Sequence, residues 1–328
     1  MRPDGLVGLP DVRAAQVVLA GVAARTPLVD YAEPGDRGRR LRLKAESLQP
    51  TGAFKLRGAY HAIAALPAER RACGVVTHSS GNHAQAVAYA ARLLGVPAVV
   101  VMPDTASAVK AAATEGYGAE VVRVPVADRV TRAEQLAAEY GYALIPPYDD
   151  AHVVAGQGTV GLEIAEDAPE TDLVLVPVSG GGLISGVAIA VKALLPHAAV
   201  VGVEPELAGD ARASLAAGER VSWPADQLAR TIADGLRVPQ LGDLPWEHVR
   251  RLVDGVVTVA EEEIREAMRR VARYARLVAE PSGAVPVAAA LFHTGELPPA
   301  RHPVAVLSGG NVDPVLLAEV LLAETPSG

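Results

Sequence analysis

From Gly74 onward the chain alternates short apolar runs with longer amphipathic ones, and this constrains the fold more than any single residue. Gly74–Thr77, Ala98–Met102 and Glu120–Val124 read as buried strands, while Asn82–Leu94, Ala106–Gly116 and Arg129–Tyr140 read as helices. A second set follows Pro146-Pro147: helix Gly156–Ala165, strand Leu173–Val178, helix Leu183–Leu195 and strand Ala199–Glu204. Later come strand Gly255–Val259, a charged helix Glu261–Ala275, strand Pro303–Leu307 and a last helix Pro314–Leu322. Such repetition builds βαβ units around parallel sheets. The expectation is an α/β protein of two lobes, a large one from residues 1–73 and 150–328 and a small one inserted at 74–149. A ligand would sit in the cleft between them.

Ahead of that pattern lie a helix over Asp11–Ala24, a Pro/Gly/Arg-rich loop at Pro34–Arg40, a short strand Leu41–Lys44 and a helix-like run ending near Leu66. Half of the 328 residues are hydrophobic but only 4% are aromatic, so the core has to be built from Ala, Val and Leu. A net charge of -8 argues against a nucleic-acid partner. One cysteine, Cys73, excludes an internal disulfide framework and a cysteine-rich zinc site, and reads as a packed apolar residue. His61, His152 and His248 lack ligand spacing and read as surface or supporting residues. No basic-then-apolar leader and no run of membrane-spanning length is visible, so a soluble cytoplasmic protein is expected.

Four stretches carry chemistry. In Thr51-Gly52-Ala53-Phe54-Lys55-Leu56-Arg57-Gly58-Ala59 one lysine stands among small and apolar neighbours. Phe54, Leu56 and Tyr60 can strip water from its amine, lowering its pKa and making it a nucleophile or base, although most lysines are simply solvated. His78-Ser79-Ser80-Gly81-Asn82-His83 joins a strand to a helix, where hydroxyls and fresh N–H groups suit a carboxylate; helix capping alone also accounts for them. Ser179-Gly180-Gly181-Gly182 lies at another strand-to-helix turn and suits a phosphate, but is neither a dinucleotide fingerprint nor a P-loop. Ser308-Gly309-Gly310-Asn311 closes the strand Pro303–Leu307 and puts a hydroxyl where a ligand ring atom could meet it.

In that order and spacing these motifs resemble the serine/threonine dehydratase and serine racemase family, pyridoxal-phosphate enzymes of fold type II, like the tryptophan synthase β-subunit. Ala155-Gly156-Gln157-Gly158-Thr159, Thr231-Ile232-Ala233-Asp234-Gly235 and Glu280-Pro281-Ser282-Gly283 agree, and the resemblance runs from about Leu6 to Asn311. It implies that Lys55 forms the Schiff base with pyridoxal 5'-phosphate and later takes the Cα proton. Ser179, Gly180, Gly181 and Gly182 match the phosphate loop, with Ser179 standing where the family often has a fourth glycine. Asn82 matches the partner of the cofactor's ring oxygen, Phe54 the residue beside the ring, and Ser308 the hydroxyl facing the pyridine nitrogen. Ser79, Ser80 and His83 match the substrate-carboxylate loop. A hydroxyl at 308 instead of a carboxylate leaves the ring a weaker electron sink, which favours loss of a β-hydroxyl over transamination. The implied activity is dehydration of L-threonine or L-serine to a 2-oxo acid and ammonia.

The resemblance also narrows the subgroup. Threonine dehydratases commonly carry alanine at the position of Ser80, whereas serine racemases and 3-hydroxyaspartate dehydratases carry serine, a second acid/base group opposite Lys55. The same subgroup has a metal site matching Glu204, Ala208 and Asp210, a set suited to magnesium or calcium. By spacing alone these would be surface carboxylates. Arg129 matches an arginine that reaches a second substrate carboxylate, which keeps 3-hydroxyaspartate open. Leu236-Arg237-Val238-Pro239 departs from the lysine and serines of racemases and weakens plain serine specificity. With the sequence ending at Gly328, no regulatory domain and no inhibition by isoleucine are expected. A small amino-acid substrate and a homodimer complete the family expectation. Racemases of serine or aspartate are the alternative on this scaffold. A cysteine-synthase type is disfavoured by Gly-Ala-Phe-Lys-Leu-Arg, and a nicotinamide dehydrogenase or ligand-binding protein is the alternative outside it.

Overall fold

Ten strands form in chain order: β1 (Leu28–Asp30), β2 (Arg42–Ala45), β3 (Val75–His78), β4 (Ala98–Pro103), β5 (Glu120–Val124), β6 (Ala143–Leu144), β7 (Leu173–Pro177), β8 (Ala199–Pro205), β9 (Gly255–Val259) and β10 (Pro303–Leu307). The computed structural model describes residues 5–33, 40–106 and 108–323, so the expected Pro34–Arg40 loop falls outside them save for Arg40. One sheet has six strands in the order β1-β2-β10-β7-β8-β9, the other four in the order β5-β4-β3-β6. Among the strands of the described residues, β1 and β2 pair antiparallel and the remaining pairings are parallel.

Both faces of the large sheet are covered, which is why its inner strands β7 and β10 are apolar throughout. Successive side chains point to opposite faces. Leu173 and Leu175 of β7 therefore pack with helices Glu261–Arg270 and Pro281–Phe292, and Val174 and Val176 with helices Ala151–Asp167 and Gly182–Leu194. In the small sheet Val75 and Val100 lie with helix Asn82–Leu94, and Val76, Val99 and Val101 with Ala133 and Leu136 of helix Arg129–Tyr140. A core poor in aromatics brings backbones close. A Cβ on Gly156 would lie 2.7 Å from the Arg57 carbonyl oxygen, so glycine there seats helix Lys55–Ala65 directly against helix Ala151–Asp167.

Several elements differ from expectation for local reasons. The first helix is Leu9–Leu19, its start fixed by Asp11, whose carboxylate accepts from Gly8 N–H at 2.9 Å. The helix expected from Gly156 begins at Ala151, because Asp150 caps it by accepting from Val153 N–H at 2.9 Å. The charged helix is α-helical only to Arg270; a π turn over Val271–Ala275 follows, and Arg276 ends it at φ 57°. Helix Pro281–Phe292 has no helical period in the sequence, because it is apolar all round and holds Pro286. Cys73 is exposed rather than packed, whereas His61 and His248 are buried, the latter accepting from Val7 N–H at 3.3 Å. Among the described residues no helix is long and apolar enough to cross a membrane.

Candidate active site

The carboxyl ends of neighbouring parallel strands deliver the site, the usual place for ligands in such sheets. From β2 the chain runs to Lys55, from its neighbour β10 to Ser308, from β7 to Ser179, and from β8 to Asp210. In the small sheet β3 leads to Ser79–Asn82 and β6 to Ile145–Tyr148.

Lys55 opens its helix and is half-buried. Its Nζ donates to the Pro147 carbonyl at 2.7 Å and lies 5.0 Å from the centre of the Phe54 ring. Among the described residues no carboxylate pairs with it, and burial lowers its pKa to about 8. The residues before it are stitched to the end of β10. Phe54 N–H donates to the Ser308 carbonyl at 3.0 Å, Gly310 N–H to Gly52 at 2.9 Å, and Ala53 bridges Gly309. Two residues further on, Arg57 roots the helix in a buried network of two cations and two carboxylates. It donates to Glu46 at 2.8 Å and to Glu163 at 2.6 Å, while Lys44 donates to Glu163 at 2.5 Å.

The Ser179–Gly182 turn starts helix Gly182–Leu194, which no side chain caps. Gly181 takes φ 87°. A Cβ on Gly180 would overlap the Tyr148 ring, and one on Gly182 would lie 3.0 Å from Tyr148 Cα. The Ser179 hydroxyl is buried with no hydrogen-bond partner among the described residues, so the turn holds an unsatisfied polar group beside helix N–H groups. Tyr148 directly follows Pro147, so two consecutive residues join the lysine to the glycine turn. The same segment is braced from the small sheet. Thr77 Oγ1 and His83 Nε2 donate to the Ile145 carbonyl at 2.7 and 3.0 Å. Burial, then the charge of Lys55, pushes the His83 pKa down to about 3, so the ring is neutral with its hydrogen on Nε2.

Ser79 and Ser80 are half-buried at the end of β3, and Gly81 N–H donates to Ser79 Oγ at 3.3 Å. No side chain caps helix Asn82–Leu94. Asn82 Nδ2 donates to Glu280 Oε1 at 2.6 Å, and its Oδ1 accepts from Asn311 Nδ2 at 2.8 Å. Ser308 is buried at the end of β10. Arg129 is half-buried at the head of helix Arg129–Tyr140, unpaired with any carboxylate among the described residues, and its charge reaches His78 and Tyr148. Lys110 pairs with Asp234, tying helix Ala108–Gly116 of the small sheet to the large one.

Glu204 and Asp210 are buried, not surface carboxylates. Glu204 accepts from Ala211 N–H at 3.0 Å and Arg212 N–H at 2.9 Å, whereas both oxygens of Asp210 are buried with no partner among the described residues. Burial raises both acids, Asp210 to about 7, and Asp210's charge adds to the shift of Glu204. Among the described residues no group of three or more His, Cys, Asp or Glu forms a metal cluster; here two carboxylates stand near the Ala208 turn.

Sequence reasoning did not single out Tyr148, Glu280 or Asn311. Glu280 and Asn311 stand in motifs of the sequence but have no role legible there, and Tyr148 follows a proline pair outside any motif.

A lysine amine with no counter-ion among the described residues, joined through Pro147 and Tyr148 to a glycine turn with an unsatisfied hydroxyl, suits a phosphate-bearing carbonyl group. Pyridoxal phosphate has such an aldehyde and phosphate, so the residues present fit it. A family model described as pyridoxal-phosphate dependent enzyme matches residues 19–309, and the chain belongs to that family, with its type II fold. It is 43% identical over 292 residues to the L-threo-3-hydroxyaspartate ammonia-lyase of Saccharomyces cerevisiae, covering 88% of each chain. It is 42% identical over 317 residues to a serine racemase of Oryza sativa, covering 94% of this chain and 92% of that one. Among solved structures, maize serine racemase superposes with a TM-score of 0.91 at 41% identity, over 95% of this chain and 96% of that one.

Proposed function

We propose that this pyridoxal-phosphate-dependent enzyme is an ammonia-lyase that converts a β-hydroxy amino acid such as L-threonine or L-serine to a 2-oxo acid and ammonia. The observation that carries the reading is Lys55, an amine with lowered pKa and no counter-ion among the described residues, joined through Pro147 and Tyr148 to the glycine turn. Lys55 would hold the cofactor aldehyde, Ser179, Gly180, Gly181 and Gly182 its phosphate, Asn82 its ring oxygen, Phe54 one ring face and Ser308 the pyridine nitrogen. Bound there, the group supplies a sink for the electron pair freed at Cα.

The chain's own residues do the rest. With a pKa of about 8, a fraction of the Lys55 amine is unprotonated near neutrality and can take the Cα proton. Ser79, Ser80 and the first N–H groups of helix Asn82–Leu94 bind the substrate carboxylate. Neutral His83 braces that turn through Ile145. Ser308 brings no charge to the pyridine nitrogen. Departure of the β-hydroxyl as water leaves an enamine, which water hydrolyses to the 2-oxo acid and ammonia.

Two features favour a second reading, racemisation of serine or aspartate or dehydration of 3-hydroxyaspartate. Half-buried Ser80 would carry a proton on the face opposite Lys55, and Arg129 has no carboxylate partner among the described residues. We also assign magnesium or calcium to Glu204, Asp210 and the Ala208 carbonyl, on the strength of two buried carboxylate oxygens lacking partners. The reading includes a homodimer in the cytoplasm, with residues 74–149 closing on 1–73 and 150–328 around the substrate. A panel of L- and D-hydroxy amino acids assayed for 2-oxo acid, ammonia and chirality tests it. Threonine or serine should yield 2-oxo acid and ammonia in equal amounts. Inverted amino acid without 2-oxo acid would transfer the assignment to a racemase.

A further inference from the structure

Asn82, from the small sheet, is hydrogen-bonded at both ends of its carboxamide to the large sheet's loops. The direction of each bond follows from one anchor. The Thr51 carbonyl can only accept, and Asn311 Nδ2 donates to it at 2.8 Å. That NH2 group can only donate, so the Asn82 atom 2.8 Å from it is Oδ1. The Asn82 NH2 therefore faces Glu280, whose Oε1 accepts at 2.6 Å. Glu280 takes one of its two hydrogens and leaves the other for an acceptor.

The carboxyl group is itself held in place. Glu280 N–H donates to the Gly309 carbonyl at 3.0 Å, and a Cβ on Gly309 would overlap Glu280 Oε1. Glu280 is 3% exposed. Burial, then the nearby charge of Asp234, raises its pKa to about 8, and it can accept from Asn82 whether ionised or neutral.

We propose that Glu280 is a positioning residue for the cofactor: with Asn311 it locks the Asn82 carboxamide so that one N–H is presented to the cofactor's ring oxygen. This rests on the reading that the site takes pyridoxal phosphate on Lys55. Without Glu280 the carboxamide keeps only its oxygen-side partner and can swing away from the ring.

The test titrates apoprotein with pyridoxal phosphate, reading the dissociation constant from the visible band, and melts each apo variant to confirm folding. Glu280→Ala should weaken binding at least about tenfold and move the band. Glu280→Gln, whose carbonyl still accepts, should stay within about threefold. Glu280→Ala with Asn82→Ala should bind no worse than Asn82→Ala alone, because the two act through one bond. If Glu280→Ala does not fold, Gly309→Ala, which displaces Oε1, should show the same loss. Wild-type affinity in Glu280→Ala or, failing that, in Gly309→Ala, losses that multiply in the double variant, or equal damage from Gln and Ala would each overturn the proposal. Wild type that takes no cofactor, or takes it away from Lys55, would instead remove the reading of the site.

Discussion

Replacing Arg57 by leucine tests what holds the reactive lysine in place. The guanidinium is buried and donates to Glu46 and Glu163; its loss leaves two buried carboxylates with only Lys44 as a cation. Removing one member of a buried ion pair costs about 3–5 kcal/mol, because the partner stays buried and uncompensated. Unfolding entropy of about 2.1 cal/mol/K per residue gives about 0.7 kcal/mol/K for a chain of this size, so about 4 kcal/mol lowers Tm by about 6 °C. The pH dependence has a definite sign. Burial pushes Glu46 up, but the charge and hydrogen bonds of Arg57, with help from Lys44 and Thr26, hold it below its ordinary value. That stabilisation is full above the unfolded carboxylate pKa and is lost as pH falls through the folded one. The deficit of Arg57→Leu should therefore be largest near neutral pH and shrink in acid. Urea and thermal melts of apoprotein at about pH 7.5 and about pH 3, the latter below the ordinary carboxylate value, measure it. A deficit below about 1 kcal/mol, or an equal deficit when Glu46→Gln is also present, would refute the network as the helix's anchor.

The other expectations are briefer. Ser80→Ala should abolish racemisation and attack on D-substrates while L-elimination survives within about tenfold, about 1.4 kcal/mol of barrier, followed by chirally resolved product analysis. Survival of both activities would make Ser80 a bystander. Gly180→Ala, whose methyl would overlap the Tyr148 ring, should weaken cofactor binding at least about tenfold by equilibrium titration, and unchanged affinity would discard that turn as the phosphate cradle. Chelation should lower Tm by about 4 °C, the effect of losing about 2.7 kcal/mol from an ion at a hundred times its Kd, and magnesium should restore it. Asp210→Ala should not respond to the ion; no effect of chelation on wild type would remove the metal.

The sheets were legible because the inner parallel strands, buried on both faces, appear as unbroken apolar runs between helical periods, whereas edge strand β5 exposes Glu120 and Arg123 instead of being buried as expected. Lys55, Ser179–Gly182, Asn82 and Ser308 were visible because each sits in a short motif at a strand's carboxyl end. What stayed hidden depends on contacts between distant residues. Nothing near Glu280 in the chain announces Asn82, 198 positions away, and Asn311 meets Thr51 across 260. The burial of Glu204 and Asp210 was hidden for the same reason, since their spacing fits a solvated turn equally well. Helix Pro281–Phe292 had no polar face to set its period, so its apolar run could not be assigned.

The central claim is that Lys55 carries the cofactor and the proton of the reaction. Borohydride reduction of the loaded enzyme, followed by peptide mass analysis, tests it most directly. The reduced cofactor should appear on the peptide containing Lys55, and Lys55→Ala should lose both the label and on the order of 10³ or more of the activity. Label on any other lysine, or a Lys55→Ala variant that remains labelled and active, would contradict the account.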